Sequence, residues 1–271
     1  MATAVATNAK RTLQTAPVNR FTKPLAGFGR TLGRTTMGMT LDLASGVARL
    51  GEATADSMAR RERSPGVLRV QVVILRDEDG TPLSTPAAVE PALRAADRIL
   101  RHEAGVRVRV VDIRIVAEVP PAAAIDPRAN KALLLDDVLG RTEFYRRHLP
   151  DPTRPGTTPA LIGVPITVIV VRHIAGHTTG CSLGMSADWV IAQASLFDAA
   201  NEHCYDETVL AHELGHAVNL PHHPQRGNLM FPESSPPAGI RGTALAAWQR
   251  GLIQANRHVV PGQIGAEPDA D

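Results

Sequence analysis

The stretch Thr208-Val209-Leu210-Ala211-His212-Glu213-Leu214-Gly215-His216-Ala217-Val218-Asn219-Leu220-Pro221-His222-His223 concentrates residue types that bind metals and move protons. On a helix, four residues advance the side chains by about 400°, so His212 and His216 return to one face and can grip a single ion. Glu213, turned about 100° from His212, suits a water on that ion better than a place among the ligands. A carboxylate so placed can take the water's proton and return it to a leaving amine. His222 cannot reach the same ion along a helix, so Asn219-Leu220-Pro221 must reverse the chain. Asn tolerates a left-handed backbone, and Pro lacks a donor and stops the helix. Three neutral imidazoles then leave the fourth tetrahedral position of one catalytic zinc ion open to water. The bland alternatives are a solvated histidine face for His212 and His216, and His223 in place of His222 if the turn relaxes.

This pattern resembles the metzincin clan of zinc peptidases, whose consensus is H-E-x-x-H-x-x-G-x-x-H followed by a Met-containing turn. His212, Glu213, His216 and His222 stand at its positions, with Asn219 where the consensus has Gly. Gly227-Asn228-Leu229-Met230-Phe231-Pro232 resembles the Met-turn, which implies a structural Met230 packed beneath the imidazoles. Gly242 to Arg257 resembles the helix that closes the clan's C-terminal subdomain. The resemblance spans residues 66–258 and is carried by 208–232. It implies a zinc-dependent endopeptidase with Glu213 as general base. It also implies a protein or peptide substrate bound as an extended strand along the edge near 176–184. No tyrosine follows Met230 in 231–237, and Tyr145 and Tyr205 lie elsewhere, so the oxyanion falls to zinc and backbone donors. Two rivals remain: a zinc amide hydrolase acting on cell-wall or other non-protein substrates, and an inactive zinc-stabilised binding module, against which the intact Glu213 argues.

Elements able to hold these residues can be read upstream. Val67 to Leu75 is a β-branched run ending at Asp77-Glu78-Asp79-Gly80. Thr85 can cap a helix through Glu103 with Val89, Leu93, Ala96, Ile99 and Leu100 on one stripe and Gly105 as its stop. A strand follows from Val106 to Val116. Residues 117–164 read as an insertion over one sheet edge, with a helix around Lys131 to Leu149. Pro165 to Val171 is a near-continuous apolar run, as in a strand buried on both faces. The Gly-rich stretch Gly176 to Gly184 and the short run Trp189 to Ala194 suggest an edge hairpin; a P-loop is excluded because the Lys-Ser/Thr ending is missing. The expected fold is α/β: a metzincin-like catalytic domain with a mixed, mainly parallel twisted sheet, an active-site helix below it and a small C-terminal subdomain ending in a helix.

The chain divides into a basic leader, 1–64, with a helix at 40–61; a catalytic domain, 65–260; and a tail, 261–271. Only 3% of residues are aromatic against 44% hydrophobic overall, so the core must be built from Ala, Val, Leu and Ile. Lys and Arg total 29 against 27 Asp and Glu, and no dense basic run carries aromatics, so nucleic acid is not an expected partner. No run of apolar residues is long enough to span a bilayer. The N-terminus shows no apolar core of a classical signal peptide. Cys181 and Cys204 are the only cysteines, so a disulfide has one pairing open to it, the other reading being two free thiols. A bridge would place the protein outside the cytoplasm by a non-classical route, and that location is expected over a cytoplasmic one. His177 and His203 read as surface or hydrogen-bonded histidines, and the sequence sets no oligomeric state.

Overall fold

A computed structural model describes Thr40 and residues 65–150, 162–175, 180–182, 188–200, 205–233 and 241–262. All but the first residue of the leader helix expected at 40–61, Cys204, His177, His203 and most of the tail lie outside the described residues, so the Cys181–Cys204 pairing does too.

The β-branched run forms β1, Gly66–Ile74, with Leu68, Val70, Val72, Val73 and Ile74 fully buried. Helix α1, Pro86–Ala104, opens where Thr85 accepts the Ala88 N–H at 3.2 Å and closes at Gly105, whose φ of 65° gives the left-handed cap. Its buried stripe of Val89, Leu93, Ala96, Leu100 and Ala104 packs onto the sheet; each large side chain contributes roughly 1.5–3 kcal/mol by leaving water. β2, Val106–Ile115, returns parallel to β1. Its register slips between Val110 and Asp112, which makes Val111 an extra residue. That bulge explains the pattern V-R-V-R-V-V-D-I-R-I: Val108 before it and Ile113 and Ile115 after it all pack against one core.

β3 (Ile166–Val171), β4 (Gly180–Ser182) and β5 (Trp189–Gln193) complete the order β2-β1-β3-β5-β4. β1, β2, β3 and β5 run parallel; β4 pairs antiparallel to β5 and forms the end of the sheet, as the edge hairpin requires. A last strand, β6 (Val259–Pro261), joins β1 antiparallel at Gly66–Leu68, where β3 has not yet begun. A Cβ at Gly66 would lie 2.7 Å from Val259 Cγ1, so a larger residue there would force β6 or its side chain to shift. The expected boundary at 260 therefore falls inside a strand. Three residues ending in proline carry no alternation from which to read one.

Successive residues of β1, β3 and β5 feed opposite cores. Val70, Val72, Ile74, Val168, Val170, Val190 and Ala192 meet α1 and the helix that carries His212 and His216. Val73, Leu75, Ile169, Val171, Trp189 and Ile191 meet Ala124, Leu133, Phe144 and Tyr145. The 117–149 segment thus covers a sheet face, not an edge. The single helix expected over 131–149 is broken into α3, Asn130–Val138, and α4, Glu143–Arg146, after a short α2, Ala122–Ile125. Gly140 at φ 77° forces the break. Buried Asp137 seals it by accepting bonds from Thr142 Oγ1 and Arg146 Nη2, both at 2.5 Å.

Candidate metal centre

Helix α5, Val209–Ala217, packs over β4, β5 and α1 and buries every residue from Val209 to Gly215. Its start is fixed by Asp206, whose Oδ1 accepts the Thr208 N–H at 2.8 Å and the Thr208 hydroxyl at 2.7 Å. Its end is a Schellman turn: the Leu220 N–H reaches Gly215 O at 2.9 Å and the Asn219 N–H reaches His216 O at 3.0 Å. Asn219 has φ 75° and is the only non-glycine residue with positive φ among those described. The left-handed turn expected of Asn219 is the one observed. It turns Leu220 O back toward the helix, where His216 Nδ1 donates to it at 2.8 Å.

His212 Nδ1 donates to Leu229 O, also at 2.8 Å. With both Nδ1 protons committed to carbonyls, the Nε2 lone pairs face inward. His216 Nε2 lies 3.1 Å from His212 Nε2 and 3.1 Å from His222 Nε2. Lone pairs so close repel unless a cation lies among them; a tetrahedral zinc with Zn–N of about 2.05 Å holds its nitrogens roughly 3.3 Å apart. The three donor atoms therefore fit a metal ion, and His212, His216 and His222 form such a group. His223 is directed away: its N–H bonds Met230 O at 2.8 Å and its ring stacks on Trp248 with centroids 6.4 Å apart.

Met230 is fully buried under this helix. Its N–H bonds Asn228 Oδ1 at 2.8 Å, and the Asn228 amide is paired reciprocally with Gln249 at 2.7 and 3.2 Å. Gln249 belongs to α6, Ala247–Ala255, so the expected C-terminal helix braces the turn that carries Leu229 O and Met230. Tyr145 and Tyr205 serve elsewhere, donating to Ala124 O at 2.7 Å and Glu207 Oε1 at 3.2 Å.

Burial dominates the electrostatics. It drives His212 down to about 2 and His216 to about 4, and it lowers His222 as well, so all three imidazoles are neutral and ready to ligate. Burial pushes Glu213 up to about 8, partly opposed by the Arg241 cation and reinforced by Asp206. Glu213 Oε2 is buried with no hydrogen-bond partner.

The sequence reading passed over Gly215, Asp206 and Arg241. A Cβ on Gly215 would meet Met230 Sδ at 2.6 Å, so a larger residue between the two histidines would push the methionine out of its present place. Arg241 lies 3.6 Å from Asp206 with its side chain 5% exposed.

No protein-family model and no curated protein matches this chain. Among solved structures it is similar to metalloproteinase-II from Bacteroides fragilis, at 16% identity and TM-score 0.43, covering 71% of this chain and 54% of that one. The chain thus spans about half the length of that protein. It is also similar to archaemetzincin from Methanopyrus kandleri, at 18% identity and TM-score 0.41, covering 70% of this chain and 94% of that one. Archaemetzincin from Archaeoglobus fulgidus, complexed with malonate, matches at 14% identity and TM-score 0.39, covering 69% and 100%.

Proposed function

We propose that this chain is a zinc-dependent endopeptidase of metzincin type, with His212, His216 and His222 as ligands and Glu213 as general base. The observation that carries the reading is the convergence of three Nε2 atoms, two of whose rings spend their Nδ1 protons on main-chain carbonyls. Zinc held there supplies a Lewis acid that polarises the substrate carbonyl and makes water acidic enough to attack at neutral pH. Glu213 takes the proton of the attacking water and delivers it to the departing amine. Its raised affinity for protons, near neutral pH, suits both halves of that task. The Schellman turn at Asn219 orients His216 and carries the chain on to His222, while Met230 supports the helix from below in the manner of a Met-turn.

An extended substrate aligns along β4, the terminal strand of the sheet among the described residues, beside α5. The test is a Glu213→Gln variant assayed on a peptide library together with its zinc content. The reading expects one bound zinc and loss of at least a thousandfold in turnover, since the base acts in both proton transfers. Wild-type turnover by zinc-loaded Glu213→Gln rejects it, as does failure of the native protein to bind zinc.

A further inference from the structure

The peptide group that joins Leu229 to Met230 is clamped at both of its polar ends. Being planar and trans, it points its C=O and its N–H in opposite directions, so neither can turn without the other. Leu229 O accepts the His212 Nδ1 proton at 2.8 Å, and the Met230 N–H donates to Asn228 Oδ1 at 2.8 Å. Among the described residues neither end has another partner. The bonds from Leu229 N–H to Ala244 O, Phe231 N–H to Asn228 O and His223 N–H to Met230 O hold the peptide groups on either side and do not fix this one. Its orientation therefore rests on the Asn228 side chain.

Asn228 in turn is held by Gln249, a fully buried residue of α6. Asn228 Nδ2 donates to Gln249 Oε1 at 2.7 Å, Gln249 Nε2 donates back to Asn228 Oδ1 at 3.2 Å, and Gln249 Oε1 also accepts the Ala246 N–H at 2.8 Å. A main-chain N–H can only donate, so the Met230 and Ala246 amides fix which end of each side chain is oxygen. The result is a one-way relay of amides: His212 Nδ1–H to Leu229 O, Met230 N–H to Asn228 Oδ1, Asn228 Nδ2–H to Gln249 Oε1. Each amide that donates becomes a better acceptor, so a chain in this direction strengthens the carbonyl that meets the imidazole. A more strongly held Nδ1 proton makes Nε2 a better metal donor.

Resting on the zinc-ligand reading above, we propose that Gln249 is a positioning residue of the metal centre: through Asn228 it fixes the Leu229–Met230 peptide group, and so the orientation and donor strength of His212. His216 lies outside the relay, because its Nδ1 proton goes to Leu220 O. Two ligands on one helix thus differ in their dependence on α6. A general loss of stability cannot imitate that difference.

The test compares Gln249→Met, Gln249→Glu and Ile253→Ala in the full chain. Ile253 is a fully buried apolar residue of the same helix, so its truncation loosens α6 without removing a member of the relay. Zinc affinity is measured by chelator competition, and solvent exchange of each imidazole Nδ1 proton by NMR of the zinc-loaded protein. Gln249→Met is expected to weaken zinc and to speed exchange of the His212 proton by about tenfold each, with the His216 proton within about twofold of the wild type. Gln249→Glu keeps an acceptor for Asn228 and Ala246 and is expected to fall between. Ile253→Ala is expected to lower the melting temperature while leaving zinc affinity and both protons within about twofold. The proposal is overturned if the two protons respond alike, or if Ile253→Ala weakens zinc as much as Gln249→Met at equal loss of stability. A wild type that binds no zinc overturns it together with the reading it rests on. Zinc binding with the expected His212 response, but without peptide cleavage, keeps Gln249 in this role and removes the endopeptidase assignment.

Discussion

Gly215 and Met230 occupy one another's space: a Cβ on Gly215 would lie 2.6 Å from Met230 Sδ and 3.3 Å from Cε. The same Cβ would stand 3.6 Å from Leu220 Cδ1, the residue whose carbonyl orients His216. The glycine between the two histidines is thus where the helix, its terminating turn and the buried methionine meet.

A double-mutant cycle reads this contact. Gly215→Ala gains about 1 kcal/mol in helix propensity but forces a buried side chain aside, at a cost of roughly 1–3 kcal/mol, so a net loss of up to 2 kcal/mol is expected. Met230→Ala alone leaves a cavity and costs about 2–5 kcal/mol. The double variant should be more stable than the sum of the two losses by at least 0.5 kcal/mol in urea unfolding, because the new methyl enters space the methionine has vacated. Strict additivity would mean that the two residues do not share a contact.

Asn219 tolerates φ 75° without being relieved of its cost. Gly at that position should leave stability equal or raise it by up to about 1 kcal/mol, whereas Ala should lower it by roughly 1–2 kcal/mol. Zinc affinity should follow the same order, because the turn delivers Leu220 O to His216 and carries the chain on to His222, the third residue of the proposed ligand set. Calorimetric zinc titration of both variants checks it; Asn219→Ala binding zinc as tightly as Asn219→Gly would separate the turn from the site.

Which parts of this were legible in the residues depends on how local their causes are. The His212–His216 face follows from helical period, and the αL turn follows from the chemistry of Asn219, so both could be read directly. β1 and β3 announce themselves as β-branched runs. β6 does not, since Val259–Pro261 is a strand through its pairing with Gly66–Leu68, far away in sequence, and carries no pattern of its own. The break at Gly140 was signalled by a glycine within the run but hidden by the apolar residues on both sides of it. Asp206, two residues before Thr208, carried a readable capping signal. Arg241 carried none: its importance comes from burial against Asp206 and from the close approach of Gly242 to Gly227.

Buried titrating groups of opposite behaviour predict a stability optimum in the metal-free protein. His212 and His216 fall from an ordinary 6.5 to about 2 and about 4, chiefly through burial, so the unfolded chain binds protons they refuse and stability is lost as pH falls below 6.5. Glu213 rises from 4.5 to about 8, again through burial, so the folded protein holds a proton the unfolded chain releases and stability is lost as pH climbs from 4.5 to 8. Burial lowers His222 and His148 too, so the acid-side losses outnumber the alkaline-side one and place the maximum between about pH 6.5 and 7. Thermal melts in chelator should peak there and decline toward pH 8, and Glu213→Gln should abolish the alkaline decline. A wild-type profile still rising between pH 7 and 8 contradicts the burial of Glu213.

Zinc should stabilise the fold through ligands of unequal structural weight. At a free concentration a thousandfold above its Kd, the ion adds about 4 kcal/mol, or on the order of 8–16 °C in Tm for a domain of this size. His222 is exposed, so His222→Gln should remove most of that shift while leaving the metal-free Tm within about 2 °C of the wild type. His212 is 4% exposed and its Nδ1 satisfies Leu229 O beneath the centre. His212→Gln should therefore lose the zinc shift and also lower the metal-free Tm by several degrees, because an orphaned buried carbonyl costs about 1–3 kcal/mol. Melts of both variants with and without chelator distinguish the two ligands; equal metal-free Tm values would show that Leu229 O does not depend on His212.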